Sequence, residues 1–125
     1  MILGFKTIHP ITKTPTEFVD KILRGIKIHT VRFGNRWKVG DKIHFATGVR
    51  TKDYHQFMEG YVKGTQRVEI YPIDRSIYVD KNKVKLTDSD FTFNDGFETA
   101  EDFWEWFKDP IDAQLIHWTD FKYTF

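Results

Sequence analysis

The balance between strand-like and helix-like segments is the feature that most limits how this chain can fold. Helix signals occur at residues 15–24 and 100–108, whereas about six other segments have the alternation and the β-branched or aromatic content of strands. The segments do not alternate regularly, and two helices are too few to cover both faces of a parallel sheet. The sequence therefore predicts an α+β fold, built as a small, mostly antiparallel β-barrel with two flanking helices.

The two predicted helices have recognisable ends. For the first, Thr14 is a suitable N-cap, Pro15 suits the first helical position, Glu17 completes a capping box, and Gly25 ends the helix. For the second helix, Thr99 is the predicted cap. The strand patterns cover residues 2–8, 28–33, 42–48, 56–71, 75–86 (a strand or a hairpin around Asn82) and 114–125.

Length and composition exclude several classes of protein. The chain has 125 residues, which predicts one domain over residues 1–125, and it lacks cysteine, which excludes disulfides, thiolate metal sites and a cysteine nucleophile. No apolar run approaches the roughly 20 residues that cross a bilayer, and Lys6 and Pro10 interrupt any signal peptide. The five histidines lack metal-ligand spacing. We predict a cytoplasmic monomer without membrane contact, metal or cofactor.

Charge is unevenly distributed along the chain. Residues 1–63 contain twelve Lys and Arg against five Asp and Glu, whereas residues 64–125 contain seven against thirteen. Such asymmetry indicates either a polyanionic partner for the basic half or two halves that fold over each other and neutralise. Because the pI of 7.9 lies below the value of about 9 that is typical of binding through bulk charge, any anion site should be a local pocket.

Three segments resemble the signature of ASCH domains, which belong to the PUA-like superfamily. Residues 22–32 (ILRGIKIHTVR) combine a helix end, a glycine, a lysine, and then a threonine and an arginine on the next strand. Residues 37–43 (WKVGDKI) are similar to the Gly-Asp turn and strand that follow in this family. Residues 95–97 (DGF), followed by 100–103 (AEDF), are similar to its acidic-Gly-Phe element and second helix. The resemblance covers most of the chain in the right order.

The resemblance implies a β-barrel with a cleft beside the Gly-x-Lys loop, and ligands related to RNA or nucleotides. Some small members are similar to amidohydrolases that deacetylate N4-acetylcytidine, using a lysine, a threonine and a glutamate. The matching positions here are Lys27, Thr30 and Asp95, so an aspartate stands where those hydrolases have a glutamate. Glu98 is nearby in sequence but matches this register less well.

The residue types themselves fit such a site, although each also has a structural interpretation. Lys27 could meet an anion or act as a base, or be a solvated loop residue. Thr30 could orient a ligand or attack it, or simply favour a strand. Arg32 could bind a phosphate or a base edge with its planar guanidinium, or form a structural salt bridge. Asp95 could pair with Lys27, or belong to the turn at Gly96.

Further ligand contacts are predicted around the first glycine and the following turn. Trp37 either stacks on a base or plugs one end of the barrel, and Arg36 and Lys38 would form a cationic rim beside it. Gly25 completes this set of candidate ligand-binding residues.

Three functional hypotheses follow from these patterns. The first is an RNA-, nucleotide- or nucleoside-binding domain with its cleft at Lys27, Thr30, Arg32 and Asp95. The second is an amidohydrolase that acts on N4-acylated cytidine. The third is a protein-interaction module in which the charge asymmetry mediates assembly.

Overall fold

The computed structural model of the protein describes residues 1–85 and 91–125 and shows a small α+β fold. Most strand pairs are antiparallel. The strands are β1 (Ile2–Gly4), β2 (His29–Arg32), β3 (Lys42–Thr47), β4 (His55–Tyr61), β5 (Gly64–Tyr71), β6 (Ser76–Val79), β7 (Asn82–Lys83) and β8 (Ile111–His117). The helices are α1 (Phe18–Leu23), α2 (Phe91–Asn94) and α3 (Ala100–Trp106).

The strands belong to two sheets. One has the order β1-β3-β4, with β1 and β3 parallel, and the other has the order β2-β8-β5-β6-β7, with every pair antiparallel. Within residues 1–85 and 91–125 the strands do not close into a barrel, so the prediction of a single barrel is not met in this part of the chain. The α+β class and the mostly antiparallel pairing are confirmed.

The longest predicted strand, residues 56–71, is in fact two strands that lie in different sheets. The chain passes from one sheet to the other at Val62 and Lys63. Val62 N donates to Asp41 O beside the first sheet, and Lys63 N donates to the carbonyl oxygen of His117, the last residue of β8 in the second. An apolar pattern that continues through such a crossing cannot by itself show where one sheet ends.

The predicted hairpin around Asn82 is present, with β6 and β7 joined by a two-residue turn. Asp80 and Lys81 both have positive φ, at 49° and 69°, which matches the primed turns that suit the twist of a hairpin. Residue 86, the predicted end of this segment, lies outside the described residues.

The first helix is shorter than predicted and begins differently. It starts at Phe18, because Glu17 has a left-handed backbone with φ of 58° and Pro15 belongs to an isolated β-bridge. Thr16 Oγ1, and not the hydroxyl of Thr14, accepts the hydrogen bond of the first helical N–H, at 3.3 Å. The predicted capping box is therefore wrong. The predicted end is confirmed, since Gly25 has φ of 75°.

The second predicted helix is confirmed as α3, and Thr99 Oγ1 caps it by accepting from Asp102 N at 3.1 Å. The short helix α2 was not predicted. The predicted closing strand, residues 114–125, begins and ends further along the chain than the observed strand β8, which runs from Ile111 to His117. Between the end of β8 and the C-terminus, Trp118 and Tyr123 pack against the core.

The hydrophobic core connects both sheets and the helices. It includes Leu3, Ile43 and Phe45 of the first sheet, Val68, Ile70, Ala113 and Leu115 of the second, and Phe91 and Phe103 of the helices. Most of these side chains are fully buried, and their packing fixes the two sheets relative to the helices. No helix in the described part of the chain is long and apolar enough to cross a membrane.

Candidate functional site

A cavity of about 250 Å³ lies beside β2, between the segment after β1 and the residues that follow α2 and α3. Its lining includes four of the predicted site residues, Lys27, Thr30, Arg32 and Asp95. Aromatic side chains supply much of the remaining wall, namely Phe5, Phe18, Phe33, Phe97, Trp106 and Phe107. The sequence therefore brings a cluster of charged and hydroxyl groups to one side of a mostly apolar hollow.

Lys27 and Asp95, which are 68 positions apart, meet at this cavity. Lys27 Nζ lies 3.4 Å from Asp95 Oδ1, and it donates to the backbone carbonyl oxygens of His29, at 3.0 Å, and of Asp95. The two side chains are each 3% exposed or less. Lys27 is thus not a solvated loop lysine, and the predicted pairing of these two residues is present.

The end of α1 sets the direction of Lys27. Gly25 takes up the left-handed conformation, and the carbonyl oxygen of Lys21 accepts hydrogen bonds from the N–H groups of both Ile26 and Lys27. The next N–H, that of Ile28, donates to Asn94 O at 2.9 Å. These bonds hold the start of β2 against the end of α2, which is where Asp95 follows.

Gly96 makes the close approach of the two segments possible. Its φ is 95°, and a Cβ built there would lie 2.8 Å from Lys27 Cδ and 3.0 Å from the Phe18 ring. A neighbouring lysine also holds this turn: Lys21 Nζ donates to Gly96 O at 2.7 Å and lies 2.9 Å from Glu98 Oε1. Glu98 therefore pairs with Lys21, whereas the carboxylate that reaches Lys27 is Asp95.

Burial changes the acidity of Lys27. Its removal from water lowers the pKa of the Lys27 ammonium from 10.5 to about 8, the negative charge of Asp95 opposes this shift, and the positive charge of Arg32 adds to it. The Phe18 ring lies 4.5 Å from Nζ and provides a cation–π contact. A substantial fraction of the amine is therefore neutral just above neutral pH, which is what a general base requires.

Thr30 and Arg32 lie on the same face of β2, as the period of two predicts. Arg32 Nη1 donates to Thr30 Oγ1 at 2.8 Å, and Nη2 donates to Gly4 O. The Phe5 ring lies 5.1 Å from the centre of the guanidinium. Burial lowers the pKa of Arg32 to about 10, so the group stays charged at neutral pH. With the residues that the structure describes, Arg32 does not form the structural salt bridge considered above, since its hydrogen bonds go to neutral oxygens.

His29 is a site residue that the sequence analysis missed. Its Nδ1 lies 3.0 Å from Asp95 Oδ1 and its Nε2 lies 2.8 Å from the hydroxyl of Tyr123. Because a carboxylate only accepts hydrogen bonds, Nδ1 carries the proton and Nε2 accepts from Tyr123. Burial lowers the pKa of His29, which favours this neutral form. The only sequence signal was a histidine between Lys27 and Thr30.

A second buried histidine lies behind the first. The rings of His29 and His117 are 5.5 Å apart on the paired strands β2 and β8. His117 Nε2 bonds to Gln66 Oε1 at 2.9 Å, whereas Nδ1 has no hydrogen-bond partner in the described part of the chain. Burial lowers the pKa of His117 to about 3, and the neighbouring His29 acts in the same direction. In the described residues, no group of three His, Asp or Glu side chains could hold a metal ion.

Four predicted ligand-binding residues do not line this cavity: Gly25, Arg36, Trp37 and Lys38. Trp37 is 3% exposed and belongs to the core, and its backbone exchanges two hydrogen bonds with the side-chain amide of Gln114. Burial in the core, not base stacking at the surface, is therefore the alternative that the structure shows for Trp37. Arg36 is exposed and contacts Met1. These four residues are therefore not part of the candidate site.

The cavity also has a rim that the sequence analysis did not identify. Phe33, directly after β2, lines the cavity although its residue is 73% exposed. Lys6 lines it as well and is exposed. An exposed aromatic ring at the mouth of an apolar hollow is suited to contact a flat ligand.

Comparison of the chain with protein-family models, with curated proteins and with solved structures gave no match in any of the three.

Proposed function

We propose that this protein binds the base of a nucleoside or nucleotide in the cavity beside β2. The observation that carries the proposal is the convergence of Lys27, Asp95, Thr30 and Arg32 on one mostly aromatic hollow. Binding sites for small molecules combine an apolar, aromatic wall with a few polar groups that orient the ligand. A nucleobase has the matching chemistry, since its flat faces are apolar and its edge carries hydrogen-bond donors and acceptors.

The size of the cavity supports a single base. Pockets for drug-sized ligands range from about 300 to 1,000 Å³, and this cavity, at about 250 Å³, lies just below that range. An RNA ligand would therefore contribute one unstacked base to the hollow, with its backbone outside. Lys6 at the rim would face that backbone.

The proposal includes that this chain is an ASCH domain of the PUA-like superfamily. It is supported by the three sequence segments and by the meeting of the Gly-x-Lys loop with the Asp-Gly-Phe turn. The barrel that the resemblance implies would have to be built from the two sheets described above.

The proposal is tested by titrating a panel of nucleosides and 5′-nucleotides into the protein by calorimetry. We expect binding that weakens at least about tenfold in Asp95→Asn and Lys27→Met, because each loses a charged group that orients the base edge. Lys63→Met is the matched control, since Lys63 pairs with Asp120 at the surface. Absence of binding by every member of the panel at low salt would contradict the proposal.

A second candidate function, hydrolysis of an N4-acylated cytidine, is favoured by one specific observation. The buried amine of Lys27, with its pKa of about 8, lines the same cavity as the hydroxyl of Thr30. Thr30 Oγ1 accepts a hydrogen bond from Arg32, which would stabilise an alkoxide as it forms.

The chemical steps of this second candidate balance with water as the only co-reactant. The neutral amine of Lys27 takes the proton of Thr30 Oγ1 as that oxygen attacks the acyl carbon. The C–N bond then breaks, and Lys27 returns the proton to the departing N4 amino group. Water hydrolyses the acyl-threonine ester, which releases a carboxylic acid and restores the hydroxyl.

Incubation with N4-acetylcytidine tests this candidate. Thr30→Val should abolish turnover, whereas Thr30→Ser should retain part of it because the hydroxyl is preserved. The rate should rise with pH towards about 8, as Lys27 loses its proton. Turnover that is unchanged in Thr30→Val, or the absence of turnover by the unmodified protein, would exclude a threonine nucleophile.

A further inference from the structure

Arg32 carries a positive charge that no carboxylate contacts within residues 1–85 and 91–125. Its guanidinium donates to three neutral oxygens, those of the Thr30 hydroxyl and of the Val31 and Gly4 carbonyl groups. Asp95 acts on it electrostatically from a distance, but this carboxylate is already contacted by Lys27 and His29. A partly buried cation without a contacting anion is costly, because burial removes part of its hydration.

The cavity as a whole also has more positive than negative side chains. Among residues 1–85 and 91–125, its lining contains the positive side chains of Lys6, Lys27 and Arg32 but only one acidic side chain, that of Asp95. Lys21, which is also buried near the Gly96 turn, is balanced by Glu98. The uncompensated charge is therefore at the cavity itself, on the side of β2.

The guanidinium also has hydrogen-bonding capacity left. Both N–H groups of Nη1 are used, by Thr30 Oγ1 and Val31 O, and one N–H of Nη2 is used by Gly4 O. One N–H of Nη2 and the Nε–H have no acceptor among the described residues. A pair of guanidinium N–H groups can bind two oxygens of one carboxylate or phosphate.

We propose that the ligand of this cavity carries an anionic group, a carboxylate or a phosphate, that binds the free N–H groups of Arg32. The inference rests on the proposed function and narrows it from nucleosides in general to nucleotides or pyrimidines that bear a carboxylate. The aromatic wall holds the ring of the ligand, and Arg32 selects for its charge. Lys6 adds to the attraction from the rim.

The experiment compares four probes by calorimetry at low salt: cytidine, cytidine 5′-monophosphate, orotate and inorganic phosphate. We expect cytidine 5′-monophosphate or orotate to bind at least about tenfold more tightly than cytidine, because hydrogen bonds between two charged groups are the strong ones. Whichever of the two binds more tightly identifies the anion as a phosphate or a carboxylate.

Variants of Arg32 show whether the preference comes from this residue. Arg32→Gln should remove the preference for the anionic probes, and Arg32→Lys, which keeps the charge without the fork, should retain only part of it. Arg36→Gln is the matched control, because Arg36 is exposed and does not line the cavity. Circular dichroism shows whether each variant is folded. If Arg32→Gln does not fold, the preference for the anionic probes is tested with Arg32→Lys alone.

The outcomes separate this inference from the proposed function. Equal affinities of the unmodified protein for cytidine and for both anionic pyrimidines would overturn the inference and leave base binding intact. Phosphate binding that depends on Arg32, without binding of any pyrimidine, would support the anion site and overturn the proposed function. Absence of binding by all four probes would overturn both.

Discussion

His29 Nδ1 and Lys27 Nζ approach the same carboxylate oxygen, Asp95 Oδ1, at 3.0 Å and 3.4 Å. The three side chains are all buried, so this oxygen is the meeting point of a lysine and a histidine that have almost no access to water. In such a setting the carboxylate has two roles. It compensates the ammonium group of Lys27, and it fixes the tautomer of the imidazole of His29.

Removal of the carboxylate should destabilise the fold strongly. In Asp95→Ala, the ammonium of Lys27 loses its buried counter-charge and the imidazole of His29 loses its acceptor. Breaking a buried pair by removing one partner typically costs about 3–5 kcal/mol. We expect a decrease of this size in the free energy of unfolding, measured by urea denaturation at pH 7.

A double variant shows whether the loss comes from the unpaired charge. Lys27→Met combined with Asp95→Ala removes both charges and should be more stable than Asp95→Ala alone. Lys63→Ala, which breaks the exposed pair of Lys63 and Asp120, should change the stability by less than about 1 kcal/mol. A double variant no more stable than Asp95→Ala would contradict the role assigned to this pair.

The lowered pKa of Lys27 predicts a rise of stability in mildly alkaline solution. The unfolded chain keeps the Lys27 proton up to its ordinary pKa of 10.5, whereas the folded chain releases it at about 8. Between these values the unfolded state binds more protons, so the free energy of unfolding increases with pH. This group should contribute about 2 kcal/mol between pH 7 and pH 9.5.

The matched control for the alkaline effect is Lys27→Met, which has no amine at this position. The difference in unfolding free energy between the unmodified protein and this variant should change with pH over the same interval. A constant difference would show that Lys27 has an ordinary pKa and is hydrated in solution.

The buried histidines predict a loss of stability in acid. His117 binds a proton at pH 6.5 in the unfolded chain but only near pH 3 in the folded one, and the pKa of His29 is lowered in the same direction. The unfolded state therefore binds more protons between these values, and stability decreases as the pH falls below about 6.5. Denaturation at pH 7, 6 and 5 measures this decrease. The decrease in the free energy of unfolding should be smaller in His117→Asn. An identical decrease in that variant would show that His117 does not cause the loss of stability in acid.

The elements of the site that could be predicted from sequence are the ones set by local signals. Gly25 ends a helix because a left-handed residue is needed there, and this placed Lys27 at the start of a strand. The alternation of β2 placed Thr30 and Arg32 on one face. Together with the resemblance of residues 95–97 to an acidic-Gly-Phe element, these signals identified four lining residues of the cavity.

The features that were missed depend on contacts between distant segments. His29 lies on the opposite face of β2 from Thr30, and it becomes part of the site only because Asp95 and Tyr123 reach it from elsewhere in the chain. Trp37 has cationic neighbours in sequence, yet a hydrogen-bonded contact with Gln114, 77 positions away, places it in the core. Local patterns contain no information on such partners.

Phe33 provides a test of the cavity rim that does not disturb the buried charges. Its residue is 73% exposed, so Phe33→Ala should leave the free energy of unfolding almost unchanged. Loss of a stacking ring typically costs about 1–3 kcal/mol per base, which corresponds to a decrease in nucleotide affinity of roughly 5- to 150-fold. Phe125→Ala, at an exposed phenylalanine that does not line the cavity, should bind like the unmodified protein. Equal weakening in both variants, measured by calorimetry, would show that the ring of Phe33 does not contact the ligand.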